Sequence, residues 1–76
     1  MSMNIIGFAL CLDNSESDDL ERNKVYPIVE PEPNDPESYL RVIDESEEDY
    51  LYPGEMFEIV NFPSQVADRI LQNLAA

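Results

Sequence analysis

Histidine and tryptophan are missing from this 76-residue chain, and cysteine occurs once, at Cys11. An intramolecular disulfide is therefore impossible, and a Cys/His zinc site has too few ligands. The commonest general base near neutral pH is missing with histidine. Glycine occurs only at Gly7 and Gly54, so no Gly-rich phosphate loop can be written. Basic residues are nearly absent too: Arg22, Lys24, Arg41 and Arg69 stand against 17 acidic residues, for a formal net charge of −13. The apolar run Ile5 to Leu12 falls far below the ~20 residues that span a bilayer. It also lacks a basic flank and a small-residue cleavage site. A cytoplasmic location without membrane contact is the expectation.

A chain this short reads as one domain, 1–76, burying about 60–65% of the surface its unfolded form exposes. Its core is small, with little room for a deep catalytic pocket. The charge repels itself and makes stability rise with salt. Nucleic acid and anionic membranes are poor partners for such a field, whereas a basic surface on another protein is its complement. The other reading is that the charge only keeps a small protein in solution. A monomer or weak oligomer without cofactors fits either reading.

Along the chain, Ile5 to Leu12 is apolar throughout and reads as a buried strand, with Gly7 marking a bend or bulge. Asp13 to Asp19 forms a polar loop ending at Leu20, a lone apolar residue placed to pin the loop to the core. Lys24 to Val29 reads as a second strand, and Pro27 assigns it to an edge or bulge. Glu30 to Glu37 is a proline-rich acidic loop, better read as a stiff connection than as a ligand for a polyproline reader. Tyr39 to Asp44 is the third strand, with Leu40 and Val42 on one face and Tyr39, Arg41 and Ile43 on the other. The acidic turn Glu45 to Glu48 leads into Asp49 to Tyr52, an antiparallel partner. Pro53-Gly54 reverses the chain into a last strand, Glu55 to Val60. A helix over about 64–75 follows, with Ser64 as its N-cap and Val66, Ile70, Leu71 and Leu74 on one stripe.

Carboxylates are plentiful, but catalysis needs them desolvated at a set separation, and nothing in the spacing indicates that. The chain is not expected to be an enzyme. An EF-hand loop counted from Asp44 fails at its sixth position, where Asp49 stands in place of glycine. Cys11 lies in an apolar run and reads as an inert core thiol. The tyrosines carry more: Tyr26, Tyr39, Tyr50 and Tyr52 all fall in strands, and Tyr39 is the one expected on an exposed face.

The segments Phe8-Ala9-Leu10, Leu20 to Val29, Tyr39-Leu40-Arg41-Val42 and Leu51-Tyr52-Pro53-Gly54-Glu55-Met56-Phe57 together resemble a small SH3-like barrel over residues 8 to 60. The chain is also similar to a group of short, uncharacterised bacterial proteins with an Arg-Val-Ile-Asp-Glu-Ser segment before Tyr-Leu-Tyr-Pro. The resemblance implies a mainly β fold: a five-stranded antiparallel SH3-like barrel over about 5–60, with a 3₁₀ turn before the last strand and a C-terminal helix. It further implies a shallow groove in which Tyr39 matches a groove tryptophan, Pro53 a groove proline and Met56 a groove tyrosine. Asp18 and Asp19 match the acidic loop that holds a ligand arginine, while Cys11 and Leu12 replace the opening-strand tyrosines. The resulting expectation is a non-enzymatic module that binds a basic segment of a partner protein. Its contact residues are Tyr39, Pro53, Met56, Asp13, Glu16, Asp18, Asp19 and Glu21. The alternative is an acidic mimic of nucleic acid that inhibits a DNA- or RNA-binding protein, as phage-encoded antagonists do.

Overall fold

Apolar side chains at alternate positions give a strand one face to bury, and five such strands form one antiparallel sheet in the order β4-β3-β2-β1-β5. In chain order the elements are β1 (Ile5–Cys11), β2 (Val25–Val29), β3 (Tyr39–Ile43), β4 (Asp49–Pro53), a 3₁₀ turn (Gly54–Met56), β5 (Phe57–Val60) and α1 (Ser64–Ala75). The computed structural model describes residues 4–15 and 17–75. β5 begins at Phe57 rather than Glu55, because Gly54–Met56 winds into the 3₁₀ turn first. No helix of the described residues is long and apolar enough to cross a membrane.

The closed barrel implied by the resemblance is not formed by strand pairing. β4 and β5 are the two edges of the sheet, joined through the 3₁₀ turn and not by a ladder.

Register sorts the side chains into two layers. On one face Ala9 pairs with Tyr26 and Ile59, Cys11 with Phe57, Ile28 with Val42, and Leu40 with Tyr52. All of these but Ile59, which is exposed on the β5 edge, make the core together with Met56 and with Leu20 from the long β1–β2 loop. Leu20 thus pins the loop, as its isolation in a polar stretch predicts.

The other face carries Phe8 opposite Pro27 and Val60, and Leu10 opposite Val25. The Phe62 ring meets Phe8 edge-on at 5.5 Å. Ala67 and Leu71 of α1 line a cavity of about 270 Å³ with Ile5, Phe8 and Val60. Leu74 lines a second, of about 200 Å³, with Val25, Pro27 and Ile43. The helix therefore lies over this face. Its apolar stripe is only partly covered, since Val66 and Leu74 remain exposed. Pro63, not Ser64, occupies the capping position, because the Pro63 carbonyl accepts from the Val66 and Ala67 N–H groups.

Proline chemistry explains a second departure. Pro27 sits in β2, a central strand and not an edge. Cys11 N–H donates to Lys24 O, and counting along the β1–β2 register turns the Pro27 nitrogen toward β3. No donor exists there, and the β2–β3 ladder shrinks to the single pair Ile28↔Val42. A register shift between Ile5 and Gly7 marks the expected bulge. At Gly54, an added Cβ would stand 2.7 Å from the Ser38 carbonyl oxygen, which accepts the Gly54 N–H at 2.8 Å. Only glycine lets the two chains approach so closely.

Candidate functional site

The β1–β2 loop is fastened to the β3–β4 turn by two tyrosines that are apolar at the ring and hydrogen-bonded at the tip. Tyr52 Oη donates to Asp44 Oδ2 at 2.6 Å and lies 3.1 Å from Ser17 Oγ. Asp44 is buried, and its Oδ1 accepts from both the backbone N–H and the hydroxyl of Ser46. Tyr26 Oη donates to Glu45 Oε2 at 2.6 Å and accepts the Glu21 N–H at 2.7 Å. Glu45 N–H donates to Asp19 O at 2.8 Å, and Lys24 Nζ lies 2.6 Å from Glu45 Oε2.

Burial, followed by the acceptor carboxylate of Asp44, pushes the Tyr52 phenol up to about 12. Burial raises Tyr26 as well, followed by Glu45. Lys24 and then Tyr26 hold the Glu45 carboxyl below its ordinary range. Glu47, at φ 68°, takes the left-handed conformation that closes the turn.

Tyr39 and Pro53 form a register pair. With Ser38, Gly54 and Glu55 they line a recess of about 350 Å³. Tyr39 is exposed, as anticipated. Met56 is not part of this recess: it is 2% exposed and belongs to the core, because the 3₁₀ turn rotates it inward. Asp13 lies near the turn, its N–H donating to Met56 O at 3.3 Å, while its carboxylate caps Ser15 N–H and is held low by that bond.

Asp18, Asp19 and Glu21 are exposed but stand elsewhere. The Asp19 carbonyl and Glu21 amide are tied to Glu45 and Tyr26 at the turn end of β3, whereas Tyr39 begins the strand at its other end. Five strand residues separate the ends by about 13 Å. The structure thus brings Tyr39 and Pro53 together and leaves Asp18, Asp19 and Glu21 apart from them. Glu16 lies outside the described residues.

Family models, curated proteins and solved structures give no match to the chain. The geometry alone therefore defines the candidate surface.

Two residues change the picture drawn from the sequence. Tyr50 pairs with Val42 on the core side of the sheet, yet Val42 is 0% exposed and Tyr50 is 50% exposed. Val42 is paired on both sides, with Ile28 and Tyr50, whereas Tyr50 lies on the edge strand without the Phe57 and Asp44 contacts that bury Tyr52. Tyr50 therefore stands one rung from the turn bearing Glu47 and Glu48.

Arg41 is the second. Its guanidinium grips Asp35 through Nε and Nη2, both at 2.8 Å, and reaches Asp49 at 2.9 Å through Nη1. Glu32 lies 3.8 Å away. This fork holds the proline-rich loop against the sheet and uses up a cation that could have offset the surface charge.

Arg41, with the Glu32 N–H second, holds the Asp35 carboxyl down to about 2 from its ordinary 3.8. Stability from a carboxyl so lowered is complete above its unfolded pKa and is lost as pH falls through the folded one. Urea midpoints measured from about pH 4 to about pH 2 should therefore fall more steeply in the natural chain than in Asp35→Asn. Equal slopes would show that the fork does not hold the loop.

Cys11 is buried, its thiol pushed up by burial and directed to Asp13 O at 3.4 Å. Among the described residues, no three acidic or thiol side chains are arranged to hold a metal ion.

Proposed function

We propose that the chain is a non-enzymatic, SH3-like interaction module that takes a basic segment of another protein. The observation that carries this reading is the fate of its cations. Lys24 is bound to Glu45 and Glu21, and Arg41 to Asp35 and Asp49, so two of the four basic residues already serve internal carboxylates. Asp18, Asp19, Glu47 and Glu48 are left facing solvent around one end of the β3–β4 hairpin. An exposed aromatic ring, Tyr50, stands one rung along the hairpin from the turn that bears Glu47 and Glu48.

Carboxylates beside an open aromatic face suit a guanidinium or ammonium, which gains from both. This moves the contact surface from Tyr39 and Met56 to Tyr50 and the acidic turn. A nucleic-acid mimic would use the same charge, but it has no need of the tyrosine.

The test is a fluorescence-anisotropy titration with a labelled peptide of alternating arginine and valine. The natural chain should bind it, and a Tyr50→Ala, Glu47→Gln, Glu48→Gln variant should bind at least roughly tenfold more weakly. Equal affinity in the two proteins would overturn the placement of the surface.

A further inference from the structure

Hydrogen-bond register decides which way each backbone group of β4 points. Asp44 N–H donates to Glu48 O at one end of the hairpin, and Gly54 N–H donates to Ser38 O at the other. The pairs Tyr39↔Pro53, Arg41↔Leu51 and Ile43↔Asp49 run unshifted between them. Antiparallel alternation then makes Leu40/Tyr52 and Val42/Tyr50 the pairs that exchange ladder bonds. The N–H and C=O groups of Asp49 and Leu51 consequently face away from β3. Pro53 obeys the same rule, since its nitrogen lacks a hydrogen and lies on the outward side. Among the described residues, no backbone or side-chain group takes up the outward amides of Asp49 and Leu51.

An open strand edge is a template for another strand, and proteins commonly blunt such edges with charge. Here the blunting has one sign. Glu47 and Glu48 flank the edge at the turn, Glu55 stands at the far end, and the whole chain carries −13. A second copy of this chain would bring like charges into opposition. A cationic strand meets no such barrier and is drawn in by the same field.

Tyr50, 50% exposed and directed to the core side of the edge, offers a ring to a guanidinium. At the other end the edge runs into the recess lined by Tyr39, Pro53, Gly54 and Glu55.

We infer that β4 is a docking edge, and that its occupant is an extended arginine- or lysine-bearing segment of another protein that adds to the sheet as a sixth strand. This rests on the basic-segment reading above and adds the mode of attachment: backbone pairing supplies the grip, and the flanking carboxylates supply the choice of sequence. The opposite edge provides an internal control. On β5, Leu12 N–H donates to Met56 O, so counting along the register leaves the Phe57 and Ile59 backbones outward; the Phe57 N–H is taken up by Gly54 O in the 3₁₀ turn, so Ile59 is the open amide of this edge.

Amide exchange of the isotope-labelled natural chain, with and without the arginine–valine peptide, tests the inference. Exchange at Asp49 and Leu51 should slow by at least roughly tenfold at saturation, with Ile59 unchanged. A peptide N-methylated at every second residue, prepared in both phases, should lose its affinity in the phase that faces β4. Binding without protection at Asp49 and Leu51, or equal affinity for both methylated peptides and the parent, would overturn strand addition and leave the basic-segment reading standing. Absence of binding by the parent peptide would overturn both.

Discussion

Leu20→Ala is expected to lower the free energy of unfolding by about 2–5 kcal/mol, the range for deleting a buried leucine side chain. A domain of this length holds about 4–11 kcal/mol in total, so the loss approaches the whole in the worst case. Leu20 is 2% exposed and packs in the core, although every neighbour from Asp13 to Asp19 is polar. It is the apolar attachment of the β1–β2 loop, and alanine would leave a cavity beneath the chain bearing Asp18, Asp19 and Glu21. Leu20→Met conserves volume and should cost less than about 1.5 kcal/mol. Urea denaturation followed by circular dichroism checks both. A Leu20→Ala cost below about 1 kcal/mol would mean that the loop is not anchored through this residue.

Tyr52→Phe should cost about 1.5–3 kcal/mol, the range for a hydrogen bond to a charged group. The ring stays and packs as before, but the Oη bond to Asp44 Oδ2 is lost, along with the contact to Ser17 that reaches the loop. Asp44 is 4% exposed, so water replaces the missing donor poorly. Removing the carboxylate as well, in Tyr52→Phe with Asp44→Leu, should cost less than the two single changes added together, because neither partner is then left stranded. Equal sums would show that the two groups act independently. The loop supplies a further readout. Glu45 N–H is bound to Asp19 O, and its exchange should quicken in Tyr52→Phe if the tyrosine holds loop and turn together.

Much of the strand plan was legible because it depends on local pattern. Alternation in Tyr39 to Ile43, the acidic turn and the Pro53-Gly54 reversal each state their own geometry, and Leu20 declared itself by standing alone in a polar stretch. The misplacements share a different cause. Pro27 argued for an edge or a bulge, but β2 lies between β1 and β3, and the missing donor is absorbed by a one-pair ladder. Met56 matched a groove residue through the family resemblance, yet the 3₁₀ turn carries it into the core. Tyr50 read as one strand tyrosine among four and became prominent only once β4 was known to be an edge. The expectation that Tyr39 shares one surface with Asp18, Asp19 and Glu21 failed because these three lie by the turn end of the β3–β4 hairpin and Tyr39 at its other end. Such relations belong to topology, and no window of sequence contains them.

On the proposed function, charge left over from internal pairing, gathered by Tyr50 and the β4 edge, recruits a basic segment. Calorimetric titration of the natural chain with the arginine–valine peptide, at low and at physiological ionic strength and beside a glutamate–valine control, addresses it most directly. The arginine peptide should bind, with an affinity that weakens by roughly tenfold as salt screens the surface, and the glutamate peptide should not bind. Arginine-peptide affinity indifferent to salt, or equal affinity for both peptides, would contradict the proposed function.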